Sequence, residues 1–257
     1  MSQHHSKFFG SSNRWQQWEA FFESRKARPL ASLGGDACHA SVPPSVARSL
    51  AVFQLGETGG GTVVEQARRS AFAKNNPGYA RAMELFVQEE HRHAQVLAMC
   101  VYALGGQLIR SNWTDSLFVV VRRAMGLRLK VLVLLAAEVV GISYYQRIAQ
   151  GLEPSPLRDA LEELCADEQS HLHFHCEFLR VQADGPMKRW LFKAAWRTVT
   201  AVAQLAVYLE HRGALKDMGV PRSELFARWR KTVEQAQALV LLDDGTKTCM
   251  DARSDCP

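Results

Sequence analysis

The chain has 257 residues, of which 47% are hydrophobic and 22% charged. That composition is ordinary for a soluble globular protein, and the length allows one large domain or two small ones with a sizeable core. The formal net charge of +5 permits an acidic partner without requiring one. Six scattered cysteines without a Cys-x-x-Cys motif argue against a disulfide framework, a zinc ribbon and a rubredoxin module.

The most apolar stretch, residues 131–149, has nearly the length of a membrane-spanning helix. Glu138 lies in its middle, however, and Arg128, Lys130 and Arg147 lie near its ends. A buried helix of a soluble bundle has the same pattern. The first residues of the chain also lack the apolar core of a signal peptide. We therefore expect a cytoplasmic protein for which a membrane is an unlikely partner.

Helical spacing of apolar residues predicts a short first helix followed by six longer ones. The predicted bounds are 15–28, 45–74, 79–104, 116–150, 154–183, 187–211 and 221–239. Glycine and proline clusters separate them, as in the turn Asn75-Asn76-Pro77-Gly78. No stretch alternates with period two, so no sheet is expected. Four long helices with short connections predict an all-α four-helix bundle with additional N- and C-terminal helices.

This pattern divides the chain into four parts. Residues 1–43 form an N-terminal segment with a short helix, and residues 44–213 form the bundle together with a fifth helix. Residues 214–242 form a C-terminal helix, and residues 243–257 are predicted to be a disordered tail.

Two copies of a Glu-x-x-His motif are the main indication of a chemical site in the chain. One contains Glu90 and His93, and the other contains Glu168 and His171. Residues three apart lie on one face of a helix, so that each pair can bind one metal ion. A single copy is weak evidence, because helices contain many glutamates and histidines. Two copies on facing helices predict a site for two ions.

An isolated glutamate precedes each motif at a similar distance. Glu57 lies 33 residues before Glu90, and Glu138 lies 30 residues before Glu168, in apolar or small surroundings. An ionised carboxylate in such surroundings is costly unless it is paired or bound to metal. The alternatives are solvated helix surfaces or a salt-bridged core. The predicted metal ligands are Glu57, Glu90, His93, Glu138, Glu168 and His171.

Three further residues lie close to these ligands in sequence. A metal-bound histidine usually donates its second ring N–H to a carboxylate. Asp167 is therefore expected to pair with His93, and Glu89 with His171, although either carboxylate could instead lie at the surface. His175 shares the helix face of the second motif. It is a possible seventh ligand, a proton carrier or a hydrogen-bonded core histidine.

Gly59, Gly60 and Gly61 follow Glu57 inside a predicted helix. Three glycines weaken a helix. They indicate a possible pocket beside the metals, with room or a close backbone approach, or else a simple kink.

At these residues the chain resembles the ferritin-like di-iron carboxylate superfamily. The stretch FVQEEHRHAQVLAMCVYALGG (86–106) is most similar to the acyl-carrier-protein desaturases. It is more distantly similar to the di-iron N-oxygenases, the tRNA hydroxylases and the small subunit of ribonucleotide reductase. The resemblance covers about residues 45–180. It implies that the six ligands hold two iron ions, with a Mn/Fe pair as the other candidate, and that Asp167 supports them.

The resemblance implies an oxidoreductase of the monooxygenase or oxidase type. Such an enzyme activates O₂ to hydroxylate, desaturate or N-oxygenate an organic substrate, free or bound to a carrier protein. Its electrons come from an external reductase or ferredoxin. Leu97 stands where the ribonucleotide reductase subunit has its radical tyrosine, and Leu164 stands where the N-oxygenases have an additional histidine. The alternative is a non-enzymatic metal-binding or storage protein, which the second complete motif disfavours.

The helix predicted from Met187 begins with interleaved basic and aromatic residues, MKRWLFKAAWR. Such a surface suits an acidic carrier protein, RNA or an anionic membrane. A helix that packs with its tryptophans and solvates its lysines and arginines has the same pattern and is favoured. No known RNA-binding motif is present, so a nucleic-acid partner is unlikely, and a homodimer is possible.

Overall fold

A computed structural model of the chain describes residues 13–30, 33, 42–59, 61–113 and 125–242. Within those ranges the secondary structure is helical and contains no strand, so the all-α prediction is confirmed for this part of the chain. The helices in chain order are α1 (Arg14–Arg25), α2 (Pro44–Glu57), α3 (Gly61–Arg69), α4 (Ala71–Asn75), α5 (Tyr79–Ala103), α6 (Leu127–Gln150), α7 (Pro156–Gln182), α8 (Pro186–Asp217) and α9 (Arg222–Leu241).

Two groups of helices form the centre of the molecule. α5 packs along α2 and α3, and α6 packs along α7 after the short connection 151–155. Contacts of α5 with α7 and of α3 with α6 join the two groups around one hydrophobic core. α8 lies against α2 and α6, and α9 lies against α6, α7 and α8.

α6 contains the apolar stretch of the sequence, and it is buried on nearly every side. Residues 138–145 are all buried. A helix that is apolar all round needs either a protein core or a lipid environment. Here α3, α7, α8 and α9 cover it. No helix in the described ranges is long and apolar enough to cross a membrane.

The first helix is tightly packed. Trp15 and Trp18 of α1 are buried, and the Trp18 ring N–H donates a hydrogen bond of 2.5 Å to Glu177 on α7. The backbone of α1 lies against Gly78, whose φ is +91°. A side chain there would meet the Trp15 carbonyl carbon at 2.8 Å. The positive φ and this close contact both require glycine. α1 is thereby fixed against the start of α5.

The prediction of one continuous helix over residues 45–74 is wrong. The structure divides it into α2, α3 and α4. The first break follows Glu57 and includes Gly59, a residue type that weakens a helix. The second lies at Ser70, whose hydroxyl accepts a hydrogen bond of 3.0 Å from the Ala73 backbone N–H and so begins α4.

Other predicted bounds also shift. α6 begins at Leu127, because Gly126 is extended with ψ of 166°, and residues 116–124 of the predicted helix lie outside the described residues. α8 continues to Asp217 and so crosses the predicted boundary after residue 213. Residues 1–12, most of the connector before α2, Gly60 and the predicted tail 243–257 also lie outside the described residues. The division into domains stays a prediction.

Candidate metal centre

The two Glu-x-x-His motifs meet in the interior between α5 and α7. Glu90, His93, Glu168 and His171 are all buried, and each offers one ligand atom within 4.8 Å of the others. The contacts run across the two helices. His171 Nδ1 lies 2.7 Å from Glu90 Oε1, and His93 Nδ1 lies 3.2 Å from Glu168 Oε1. Each histidine thus faces the glutamate of the opposite motif.

The two isolated glutamates complete the cluster. Glu57, the last residue of α2, is hydrogen-bonded to Glu90, and Glu138 in the middle of α6 is hydrogen-bonded to Glu168. The structure therefore brings all six predicted ligand residues together. Two hydrogen-bonded pairs of carboxyl groups in a buried site require shared protons when no cation is present.

The protonation of these pairs follows from burial. Burial, and then the charge of Glu90, raises the pKa of Glu57 well above its ordinary value. Burial and the charge of Glu168 raise the pKa of Glu138 well above its ordinary value. Burial alone would raise the pKa of Glu168, but the hydrogen bond with Glu138 and the charge of His93 lower it well below the ordinary value. Glu138 is therefore the member of its pair that holds the proton.

Hydrogen bonds on the outer side of each imidazole fix its orientation. His93 Nε2 lies 3.3 Å from Asp167 Oδ2, and His171 Nε2 lies 3.0 Å from Glu89 Oε2. These are the pairs expected from the sequence. Because each Nε2 carries the proton that a carboxylate accepts, Nδ1 presents its lone pair to the interior when the imidazole is neutral.

Arginines that the sequence analysis did not identify surround these two carboxylates. Arg25 Nε of α1 lies 2.7 Å from Glu89, and the same guanidinium forms an ion pair with Asp167. Arg28 lies 3.0 Å and Arg92 3.6 Å from Asp167. Burial opposes ionisation of Glu89, but the hydrogen bond and charge of His171 and the charge of Arg25 lower its pKa to about 2. Buried carboxylates need such cations, and this need was the available signal.

His175 is buried one turn beyond His171 and lies beside the cluster. Its Nε2 is 3.5 Å from Glu138 Oε1, and neither ring nitrogen makes a hydrogen bond within the described residues. Phe86 packs edge-on against the ring at 4.7 Å. Burial, and then the charge of His171, lowers the pKa of His175 to about 3. It makes no hydrogen bond of a core histidine within the described residues, and its position beside Glu138 fits a ligand or a proton carrier.

The donor set fits divalent cations. Glu90 Oε1 and His93 Nδ1 are buried without a hydrogen bond in the described part of the chain, despite their short distances to His171 and Glu168. Together with ligand atoms of Glu168 and His171 they lie within 4.8 Å of one another, which is close enough to bind a common cation. Carboxylate and imidazole ligands suit iron, manganese or zinc, and four carboxylates offset the charge of two divalent ions.

A cavity of about 140 Å³ adjoins the four carboxylates. Its other described lining residues are apolar side chains and glycines, with the exception of His211. Gly56 and Ala137 are the exposed members of the lining, so the cavity opens between α2 and α6. Gly59 also lines it, as the predicted pocket requires, whereas Gly61 begins α3.

Tyr145 of α6 is a further residue that the sequence analysis missed. Its hydroxyl donates a hydrogen bond of 3.1 Å to Glu57 Oε1. It is buried beside the carboxylates, and burial followed by the charge of Glu57 raises its pKa well above the ordinary value. Its position two turns after Glu138 on an apolar helix was the available signal. The neutral hydroxyl holds Glu57 toward the cluster.

No protein-family model matches the chain, and no curated protein or solved structure matches it either. The functional argument therefore depends on the geometry of the cluster and the cavity.

Proposed function

We propose that the cluster binds two iron ions and that the protein is a ferritin-like, cytoplasmic di-iron oxidoreductase. Glu57, Glu90, His93, Glu138, Glu168 and His171 hold the ions, and a Mn/Fe pair is the second choice of metals. A pair of this kind supplies the electrons and the open coordination positions with which O₂ is activated to oxidise an organic substrate.

One observation supports this proposal more strongly than any other. Both histidines are oriented by an outer carboxylate, His93 by Asp167 and His171 by Glu89, so that both Nδ1 atoms are directed into one buried cluster of glutamates. Carboxylate partners that fix and polarise a ligating imidazole are typical of metal sites.

Different residues of the chain have different roles in such a site. Tyr145 holds Glu57, and Arg25 holds Glu89 and Asp167 in their ionised form. The apolar lining of the cavity offers water few hydrogen-bond partners on the side of the carboxylates that faces it. Room for an organic molecule beside the carboxylates supports an oxidising enzyme over the alternative of a storage protein.

Metal stoichiometry tests the site. We expect wild-type protein loaded anaerobically with Fe²⁺ to retain about two irons per chain. Glu168→Ala removes a carboxylate that contacts both histidines and is expected to lose most of that iron. Glu162→Gln is the matched control, since Glu162 is exposed on the same helix and pairs with Arg158. Equal iron in both variants would refute the site.

Oxygen consumption tests the reaction. The loaded, reduced protein is expected to consume O₂ in proportion to its iron pairs and to require an external reductant for a second cycle. Continued uptake far above two irons per chain, with mineral growth, would favour storage and overturn the enzymatic proposal. A reductase or ferredoxin and a carrier-bound substrate remain proposed partners.

A further inference from the structure

Three buried polar side chains form a hydrogen-bonded chain at the cavity. Ser49 Oγ of α2 lies 2.5 Å from His211 Nδ1 of α8, and it also contacts the Tyr144 hydroxyl of α6. Phe53 stacks on the His211 ring with centroids 4.6 Å apart and lines the cavity together with it. Three helices thus fix one imidazole in the cavity wall.

The direction of these hydrogen bonds follows from the available protons. Tyr144 has one hydroxyl proton, and its hydrogen-bond partner in the described residues is Ser49. We assign Tyr144 as the donor to Ser49, and Ser49 as the donor to His211 Nδ1, because this direction pairs both hydroxyl protons. Burial lowers the pKa of His211 to about 3, so the ring is neutral. A neutral ring that accepts at Nδ1 carries its proton on Nε2, which makes His211 a hydrogen-bond donor.

His211 and the carboxylates lie at different points along the cavity. Ser49, Phe53 and Glu57 are four residues apart on one face of α2, so Ser49 and Glu57 are separated by about 12 Å. Ser49 holds His211, and Glu57 belongs to the metal cluster. The wall between them is apolar. A ligand that meets His211 therefore contacts apolar side chains over most of its surface and needs a polar atom only at the His211 end.

We infer that the cavity binds a small, mainly apolar molecule or segment with one hydrogen-bond-accepting oxygen, which the His211 Nε2–H positions. A cavity of about 150 Å³ lined by apolar side chains is large enough for benzene. The cavity of about 140 Å³ therefore suits an aromatic ring or a branched chain of similar size. This inference rests on the proposed function in one respect. If that function holds, the bound molecule is the substrate and His211 is a positioning residue.

Binding to metal-free protein tests the inference. The probes are 4-fluoroacetophenone and 1-fluoro-4-isopropylbenzene, which have similar shapes but differ in the carbonyl oxygen. ¹⁹F NMR titrations give both Kd values for wild-type protein and for His211→Phe. We expect the ratio of the two Kd values to shift about tenfold against the ketone in the variant, the equivalent of one hydrogen bond. Hydrocarbon binding by the variant shows that its cavity is intact.

Further variants make the test decisive. Ala137→Leu narrows the opening and is expected to weaken both probes, which places them in this cavity. Should His211→Phe not fold, Ser49→Ala gives the same comparison, because it removes the hydrogen bond that fixes the ring proton. An unchanged Kd ratio in these variants, or no binding by wild-type protein, overturns the inference. Iron content measured separately distinguishes this failure from failure of the metal site.

The outer face of α8 gives an independent observation. It exposes a row of large apolar side chains on the side opposite its buried residues. Their exposed fractions are 67% for Met187, 62% for Trp190, 48% for Leu191, 55% for Val202, 54% for Leu205 and 43% for Leu209. The row extends from residue 187 to residue 209, over about 33 Å of helix. An apolar surface of that extent marks an interaction site.

Charge restricts the partner of this apolar row. Lys188, Lys193 and Arg197 are exposed within the first turns of α8, and no acidic residue occurs between residues 186 and 209. A second copy of α8 would bring like charges together, which disfavours self-association through this face. An anionic lipid surface complements both the cations and the apolar side chains, and it requires no matching shape.

We propose that the outer face of α8 binds an anionic membrane surface, with the protein lying on the bilayer without crossing it. Cosedimentation of the full chain with phosphatidylcholine vesicles, alone or with phosphatidylglycerol, tests this. We expect binding to the anionic vesicles that weakens with salt. Leu205→Glu and Lys193→Gln should each reduce it, while Glu65→Gln on α3 should not. Equal binding by all variants, no binding, or a dimer that Leu205→Glu dissociates would overturn it.

Discussion

Asp167 on α7 accepts a hydrogen bond from His93 Nε2 on α5, and its mirror partner Glu89 on α5 accepts one from His171 on α7. Each helix therefore orients the histidine of the other. This exchange couples the packing of α5 and α7 to the direction of both Nδ1 lone pairs. A change in the outer carboxylates should consequently affect metal binding without touching a ligand.

Asp167→Asn tests that coupling. Asparagine keeps the shape but removes the negative charge that His93 and the arginines share. Loss of such a partner typically costs about 10- to 100-fold in metal affinity. We expect a decrease of that size in Fe²⁺ affinity, measured by competition with a chelator, and a helical circular-dichroism spectrum like that of wild type. Unchanged affinity would show that Asp167 does not orient the ligand.

Two neighbouring tyrosines provide a matched pair of variants. Tyr145→Phe removes the hydroxyl that holds Glu57, so a several-fold lower Fe²⁺ affinity is expected, since a net hydrogen bond contributes about 1 kcal/mol. Tyr144→Phe removes a hydroxyl that reaches Ser49 instead. It should leave iron affinity near the wild-type value and reduce the preference for the ketone probe. The opposite pattern would mean that the roles of the two tyrosines are reversed.

Arg25 connects α1 to the outer carboxylates, and its removal tests whether α1 belongs to the site. Arg25→Met leaves Glu89 and Asp167 with less positive charge in a buried position. Loss of one partner of a buried pair typically costs about 3–5 kcal/mol, and here Arg28 and Arg92 offset part of it. A lower free energy of unfolding in urea is expected. Lys26→Met, at an exposed neighbouring position, should change it little.

The residues of this site show which parts of it the sequence could predict. The six proposed ligand residues follow from helical spacing, because positions three apart share a face and a buried glutamate on an apolar helix needs a partner. The pairing of Asp167 with His93 follows from the similarity of the two motifs. Arg25 and His211 could not be found in that way. Their contacts join helices distant in sequence, and only the packing of α1 and α8 brings them to the site.

The break after Glu57 was missed for a different reason. The apolar spacing of residues 45–74 is compatible with one helix, and the glycines allow either a kink or an end. The structure ends α2 at Glu57 and thereby places the backbone of Gly56 and Gly59 along the cavity. The low helix propensity of the glycines indicated where the helix could end. It did not determine the direction in which the chain continues after Glu57.

His211 also predicts a dependence of stability on pH. The side chains that contact it from α2 and α6 are Ser49, Phe53 and Tyr144, none of which is charged near neutral pH. Its pKa is about 3 in the folded protein and about 6.5 when unfolded, because burial disfavours the charged ring. The unfolded state therefore binds the additional proton, and stability is lost as pH falls from 6.5 toward 3.

The size of that loss is about 1.4 kcal/mol for each pH unit within the window. Between pH 7 and pH 5, metal-free wild-type protein should lose about 2 kcal/mol more of its unfolding free energy than His211→Phe, as measured by urea titration at each pH. Parallel curves for the two proteins would contradict a buried neutral imidazole. The same neutral ring supplies the Nε2–H donor. Parallel curves would therefore also remove the basis for the contact of His211 with a ligand oxygen.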